Sequence, residues 1–181
     1  MSQNIPARHP LRSLFANLTE RSFLEGVGIG DFGMIRYVAN LLVDFTHVDH
    51  LYRIRNTRGK TLADVGEMLL QSDPHSHTHS PTREGEIRRH IGDYTLFFTG
   101  MFPESLKRRA GSLRLDYFVD YIRVGKESYF LVARIDSEVA PLFKRLSENF
   151  DYCVVAINFV KKELEKMGDP HYQRVKKIII H

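Results

Sequence analysis

The stretch GEIRRHIGDYTLFFTGMFPE, from Gly85 to Glu104, sets charged and histidine residues among aromatics at helical spacing. Glu86, His90 and Asp93 fall at i, i+4 and i+7, which puts all three on one face of a helix. Asp44, His47 and His50 stand at i, i+3 and i+6 in an earlier helical run. Two such helices could offer carboxylates and imidazoles to each other, the chemistry with which helical bundles hold paired metal ions. Asp44, His47, Glu86, His90 and Asp93 are the candidate ligands, and Asp116 and Asp120, one turn apart, could complete the set. A divalent transition metal is the cofactor such a site would take, and redox or hydrolytic chemistry would come with it. Against this, the chain has no Glu-x-x-His pair, the shorter Asp replaces Glu, and Arg88 and Arg89 beside His90 would repel a cation. On the alternative reading, Ile87, Ile91, Tyr94 and Phe98 are the core stripe of this helix. His90 and Asp93 are then a hydrogen-bonded polar seam, partnered by Arg or Lys from a neighbouring helix.

Three further patterns invite chemistry. His75, His77 and His79 at i, i+2 and i+4 would point one way in an extended segment and could chelate Zn²⁺ or Ni²⁺, although Pro74 and Pro81 mark a solvated connector. GIGDFG, Gly28 to Gly33, matches G-x-G-x-x-G, and Asp49 lies near the distance of a ribose-binding acid. That fingerprint needs a strand before it, whereas the flanking pattern is helical, so the glycines read as the entrance to a helix starting at Asp31 and no cofactor-binding residue is assigned. Cys153 lies among Tyr152, Val154 and Val155 and reads as a buried, inert thiol. No G-x-S-x-G, H-E-x-x-H or P-loop signature occurs, so no catalytic residue is assigned and the balance leans away from an enzyme.

Charge leaves the partner open. The chain has 26 Lys plus Arg against 22 Asp plus Glu, a net charge of +4, which is mild for a nucleic-acid binder. Basic residues do gather at Lys107, Arg108, Arg109 and Arg114, at Lys161 and Lys162, and at Arg174, Lys176 and Lys177. If folding joined them they could meet phosphates, so nucleic acid is a partner the sequence allows without favouring. The single cysteine rules out an intrachain disulfide and favours a reducing compartment, so a cytoplasmic location is expected. The N-terminal MSQNIPARHPLRSLFANL lacks the apolar run of a secretory signal, and no segment reaches the ~20 apolar residues of a membrane span.

The elements that must position these residues read as helices. Apolar residues from Ile35 to Leu51 keep to three- and four-residue intervals behind Asp31, which predicts one helix of about five turns. NTRGK, Asn56 to Lys60, predicts a turn, and Thr61 with Asp64 the start of a helix through Leu70. A third helix is expected from Arg83 to Thr99, stopped by Gly100 and Pro103. Residues 115–135 fit both a helical face and strand alternation; two helices separated at Gly125 are preferred, with a β-hairpin as the alternative. Ser137 is expected to cap a helix through Leu146, and Asp151 to Met167 to form a long final one. The expected fold is all-α, a single bundle of about seven helices, with the α+β hairpin form as its alternative. Residues 1–168 read as the helical domain and 169–181 as a basic, then apolar, C-terminal tail. Ile178, Ile179 and Ile180 in that tail are costly to leave in water, so they fold back or contact another chain.

RHIGDYTLFFTGMFPESL, the LLVDFTHVDHLYRIR run and the VGEMLL segment together resemble a family of bacterial proteins of unknown function, over most of the chain. The resemblance implies one shared architecture and brings no activity or site residue with it. The leading functional expectation is a small soluble, non-catalytic interaction or regulatory protein, with a protein partner or a homo-oligomer formed through the tail. A metal-binding bundle and a nucleic-acid binder are the alternatives.

Overall fold

Helix follows helix along the chain because apolar residues recur at three- and four-residue intervals almost throughout. The computed structural model describes residues 10–73, 80–109 and 114–180, with the backbone alone at 107–109, 114–119 and 180. Its α-helices are α1 (Pro10–Arg21), α2 (Phe32–Asp44), α3 (Val48–Leu51), α4 (Val65–Gln71), α5 (Pro81–Met101), α6 (Pro103–Arg109), α7 (Arg114–Ile135), α8 (Ala140–Glu148), α9 (Phe150–Met167) and α10 (Pro170–Ile180). A π-helical turn, Ser22–Val27, follows α1. The fold is all-α, and the described residues contain no strand; one isolated bridge, Arg55 to Thr61, spans the Asn56–Lys60 turn. That turn is tied by Asn56 Oδ1, which accepts from the amides of Arg58 at 2.9 Å and Lys60 at 3.0 Å. No helix of the described residues is long and apolar enough to cross a membrane.

The helix at the centre is α5. Ser80 caps it by accepting from Arg83 N at 3.1 Å, and Pro81 occupies the first turn, where its missing N–H costs nothing. From His90 to Met101 every residue is buried, so the second half of this helix is covered on all sides, whereas its first half leaves Arg83, Glu86 and Arg89 exposed. The other helices approach it closely where it carries glycine. A Cβ at Gly100 would stand 2.6 Å from Ile157 of α9, and one at Gly92 would run into the Tyr129 ring of α7.

Several elements differ from the sequence expectation, each for a packing reason. The run from Asp31 to Leu51 is not one helix: α2 ends at Asp44 and α3 begins at Val48. Phe45 turns inward onto Phe97, with ring centroids 5.1 Å apart, and Thr46 Oγ1 binds the Val43 carbonyl at 2.6 Å. Residues 115–135 belong to one continuous helix, α7, that passes through Gly125. Gly125 ends nothing; a side chain there would collide with the Phe150 ring and Thr95 Oγ1. Ser137 does not cap α8, which begins at Ala140 with Val139 at its N-cap. Beyond Gly168, in the left-handed conformation with φ 63, the chain continues as α10. Tyr172 stacks on Phe102 with centroids 5.8 Å apart and planes 4° apart, and Val175 and Ile179 are also in the core. Helix α1, for which the sequence raised no expectation, packs Leu11, Phe15 and Leu18 inward at i, i+4 and i+7.

Candidate functional site

The polar residues of α5 meet α2 and α7 at a single carboxylate. Gly92 lets the Tyr129 ring of α7 lie against the α5 backbone, and Tyr37 reaches in from α2. The Tyr37 hydroxyl donates to Asp93 Oδ1 at 2.6 Å and the Tyr129 hydroxyl donates to the same oxygen at 2.8 Å. Burial pushes the Asp93 carboxyl up, while the two tyrosine donors and the charges of Arg89 and Arg53 pull it down again; the net direction is upward. Both tyrosines are raised well above the usual phenol value, first by burial and then by the negative charge of Asp93. They hold their protons and act as donors. Arg89 closes the chain: its Nε donates to the Tyr37 hydroxyl oxygen at 3.1 Å, and its guanidinium lies 5.3 Å from the Tyr37 ring centroid and 5.5 Å from that of Phe143.

One turn earlier, His90 is fully buried between two other groups. Arg53 Nε donates to Nδ1 at 3.1 Å, which assigns the remaining ring proton to Nε2, 3.1 Å from the Leu51 carbonyl oxygen. Burial first, and the Arg53 charge second, lower the His90 pKa to about 3, against the opposing pull of the Leu51 carbonyl. This imidazole is neutral, and both its nitrogens are engaged.

The five residues proposed as metal ligands do not share one place. Asp93 is enclosed by the tyrosines, and His90 by Arg53 and Leu51. Glu86 is exposed and pairs with Arg83 at 3.5 Å. Asp44 lines an open groove of about 670 Å³ with Asp49, His50 and Arg53. His47 stands at the α2–α3 break, its ring 5.6 Å from that of His50, and its buried Nε2 has no hydrogen-bond partner among the described residues. Asp120 pairs with Arg123 at 3.7 Å. Among the described residues no three His, Cys, Asp or Glu side chains converge as a metal-binding group. His75, His77 and His79 lie outside the described residues, as does the Asp116 side chain.

The other sequence signals take structural places. GIGDFG joins the π-helical turn to α2, not a strand to a helix: Gly28 has φ 72, and Asp31 caps α2 through Met34 N at 3.0 Å while accepting from Arg145 Nε at 2.6 Å. Asp49 lies in α3. Cys153 is buried, and burial together with Asp31 and Asp151 pushes its thiol up to about 12, far from a thiolate nucleophile. Of the basic residues, Lys161 is held by Glu104 at 2.9 Å and Lys176 by Glu165 at 3.1 Å, and Lys162 lies over the Phe159 ring. The side chains of Lys107, Arg108, Arg109 and Arg114 are outside the described set. In the C-terminal tail Ile179 is buried and Ile178 half exposed; the Ile180 side chain is not described. A longer apolar surface runs along α9, where Tyr152, Val155 and Phe159 are 53%, 45% and 38% exposed.

Sequence reasoning missed Tyr37, Tyr129 and Arg53, each from an element distant in sequence from α5. The available signal was that an Asp and a His on a helix this apolar require donors, and tyrosines inside helical core patterns are candidates to supply them. Compared with protein-family models, curated proteins and solved structures, the chain matches none.

Proposed function

We propose that this chain is a non-catalytic helical interaction protein that acts through its surface. The observation that carries the reading is the stripe Tyr152, Val155 and Phe159, three large apolar residues exposed at i, i+3 and i+7 along α9. The buried polar residues support it from the other side: Asp93 and His90 are satisfied by neighbouring side chains and backbone, which suits a structural seam better than a turnover site. The first occupant of the stripe is a second copy of the same chain. Asp151 lies near the start of α9 and Lys162 near its end, so an antiparallel pair of α9 helices brings Asp151 of each copy towards Lys162 of the other, on both sides of the apolar centre; within the chain Asp151 also pairs with Lys126, and Lys166 with Glu163. The resemblance to bacterial proteins of unknown function belongs to this proposal as a statement of kinship and adds no activity.

Sedimentation velocity tests it. The wild-type chain is expected to pass from monomer to dimer with rising concentration, and Val155→Lys to remain monomeric while keeping its helical content. A wild-type chain that stays monomeric up to roughly 100 μM, a hundredfold above a micromolar Kd, overturns the self-association. A turnover abolished by Asp93→Asn in a folded variant would refute the non-catalytic part.

A further inference from the structure

Away from α9, Arg89 faces a cleft of about 520 Å³ formed by the first half of α5, the end of α7 and the connection into α8. Its walls include Gly85, Ile135 and Val139, and its rim carries Glu86, Asp136 and Glu138. The arginine is fixed from behind. Its Nε is bound to the Tyr37 hydroxyl, Tyr37 is bound in turn to Asp93, and its guanidinium plane is backed by the Tyr37 and Phe143 rings. Its two terminal nitrogens are different: among the described residues no carboxylate lies within ion-pairing distance of Arg89, and neither Nη makes a hydrogen bond. The nearby rim acids have other roles, since Glu86 pairs with Arg83 and Asp136 accepts from the Glu138 amide at 3.0 Å.

A guanidinium with a fixed Nε and two unused Nη groups presents the planar fork that matches a carboxylate in bidentate fashion. The volume lies within the range of small-molecule pockets. Of the rim carboxylates, Asp136 and Glu138 pair with no cation among the described residues, and they disfavour a multiply charged anion and favour a ligand that brings a cation of its own. Ile135 and Val139 give the remainder of the ligand an apolar wall. We propose that this cleft is a binding site for a small amino-acid-like zwitterion, whose carboxylate is taken by Arg89, whose amine faces the acidic rim, and whose apolar body rests on Ile135 and Val139.

The test is an NMR titration of the full isotope-labelled chain, following its amides and the methyl groups of Val132, Ile135 and Val139. The probes are L-leucine, 4-methylpentanoate (which lacks the amine), isopentylamine (which lacks the carboxylate) and inorganic phosphate. Leucine is expected to move the cleft signals saturably, with each of the other three binding more weakly. Arg89→Gln is expected to weaken leucine about tenfold or more through loss of a charge-assisted pair. Arg89→Lys, which keeps the charge without the fork, falls in between and serves if the glutamine variant does not fold. No movement at roughly 10 mM leucine, ten times what half-fills a millimolar site, overturns the proposal. So does an unchanged leucine response in both Arg89 variants, or binding of phosphate or 4-methylpentanoate as tight as that of leucine.

Discussion

Asp93 receives two tyrosine hydroxyls on one carboxylate oxygen inside the helical core. Removing the acceptor leaves two hydroxyl protons without an acceptor, Tyr129 with no partner and Tyr37 with Arg89 Nε alone, and a buried polar group left unsatisfied costs about 1–3 kcal/mol. Asp93→Ala is therefore expected to destabilise the chain by about 3 kcal/mol or more, and Asp93→Asn, which keeps an oxygen in place, by much less. Urea unfolding of the two variants checks this, and equal losses would show that the tyrosine bonds are not what holds the seam. His90 gives a pH dependence with a definite sign. Its folded pKa of about 3 lies below the ordinary 6.5. Between those values the unfolded chain binds a proton that the folded chain refuses, so this group makes stability fall as pH drops below about 6.5, by at most ~1.4 kcal/mol per pH unit. Asp93 acts oppositely: its folded carboxyl is raised, so it keeps a proton that the unfolded chain has lost, and its contribution grows towards acid. His90→Gln is expected to flatten the decline in urea midpoint between pH 6.5 and 4; a variant that tracks wild type across that window would contradict the buried neutral imidazole.

At the scale of elements, the approach of helices to α5 is set by glycines whose neighbours differ. Gly92 lies under the Tyr129 ring with no room for a methyl group, whereas a Cβ at Gly85 would meet Ile135 Cγ2 at 3.5 Å, an ordinary contact. Both are inside the same helix, so alanine gains about 1 kcal/mol of helix propensity at either position. Gly85→Ala is expected to raise the melting temperature, while Gly92→Ala lowers it, because overpacking costs about 1–3 kcal/mol and outweighs the propensity gain. Thermal unfolding decides it, and the same sign for both would show that α7 can move off α5 cheaply. The N-cap of α4 gives a smaller expectation. Asp64 accepts from Gly66 N at 2.7 Å and Glu67 N at 3.3 Å, so Asp64→Ala should cost about 1 kcal/mol.

For the molecule as a whole, the question is how far α10 belongs to the core. Tyr172, Val175 and Ile179 are buried against the bundle, and Tyr172 lies flat on Phe102. Side chains of this size contribute about 1.5–3 kcal/mol each when fully buried. Ending the chain at Gly168 therefore removes on the order of 5 kcal/mol, comparable to the whole stability of a marginal domain. The truncated chain is expected to lose its cooperative urea transition. A sharp transition at an unchanged midpoint would mean that α10 docks without stabilising the rest.

Much of the fold was legible because helical periodicity and capping are local. Asp31 as a cap, the Asn56–Lys60 turn and the end at Gly168 all follow from residues a few positions apart, whereas the helix expected to begin at Thr61 with Asp64 starts three residues later, with Asp64 itself as the N-cap of α4 and Thr61 in the bridge to Arg55. The all-α class follows from the same spacing. The break at Phe45, the passage of α7 through Gly125 and the covering of the second half of α5 on every side are not local, since each depends on which side chain arrives from elsewhere in the chain. The site divides in the same way. Sequence put Glu86, His90 and Asp93 on one helix and allowed that a polar seam there would need a partner, including an Arg or Lys from another helix. Tertiary structure supplied Tyr37 and Tyr129 to Asp93 and Arg53 to His90, and left Glu86 at the surface. Spacing along a helix fixes which side chains share a face, but a buried polar group takes its partners from whatever packs against that face, over separations of 56 residues for Tyr37 and 36 for Tyr129.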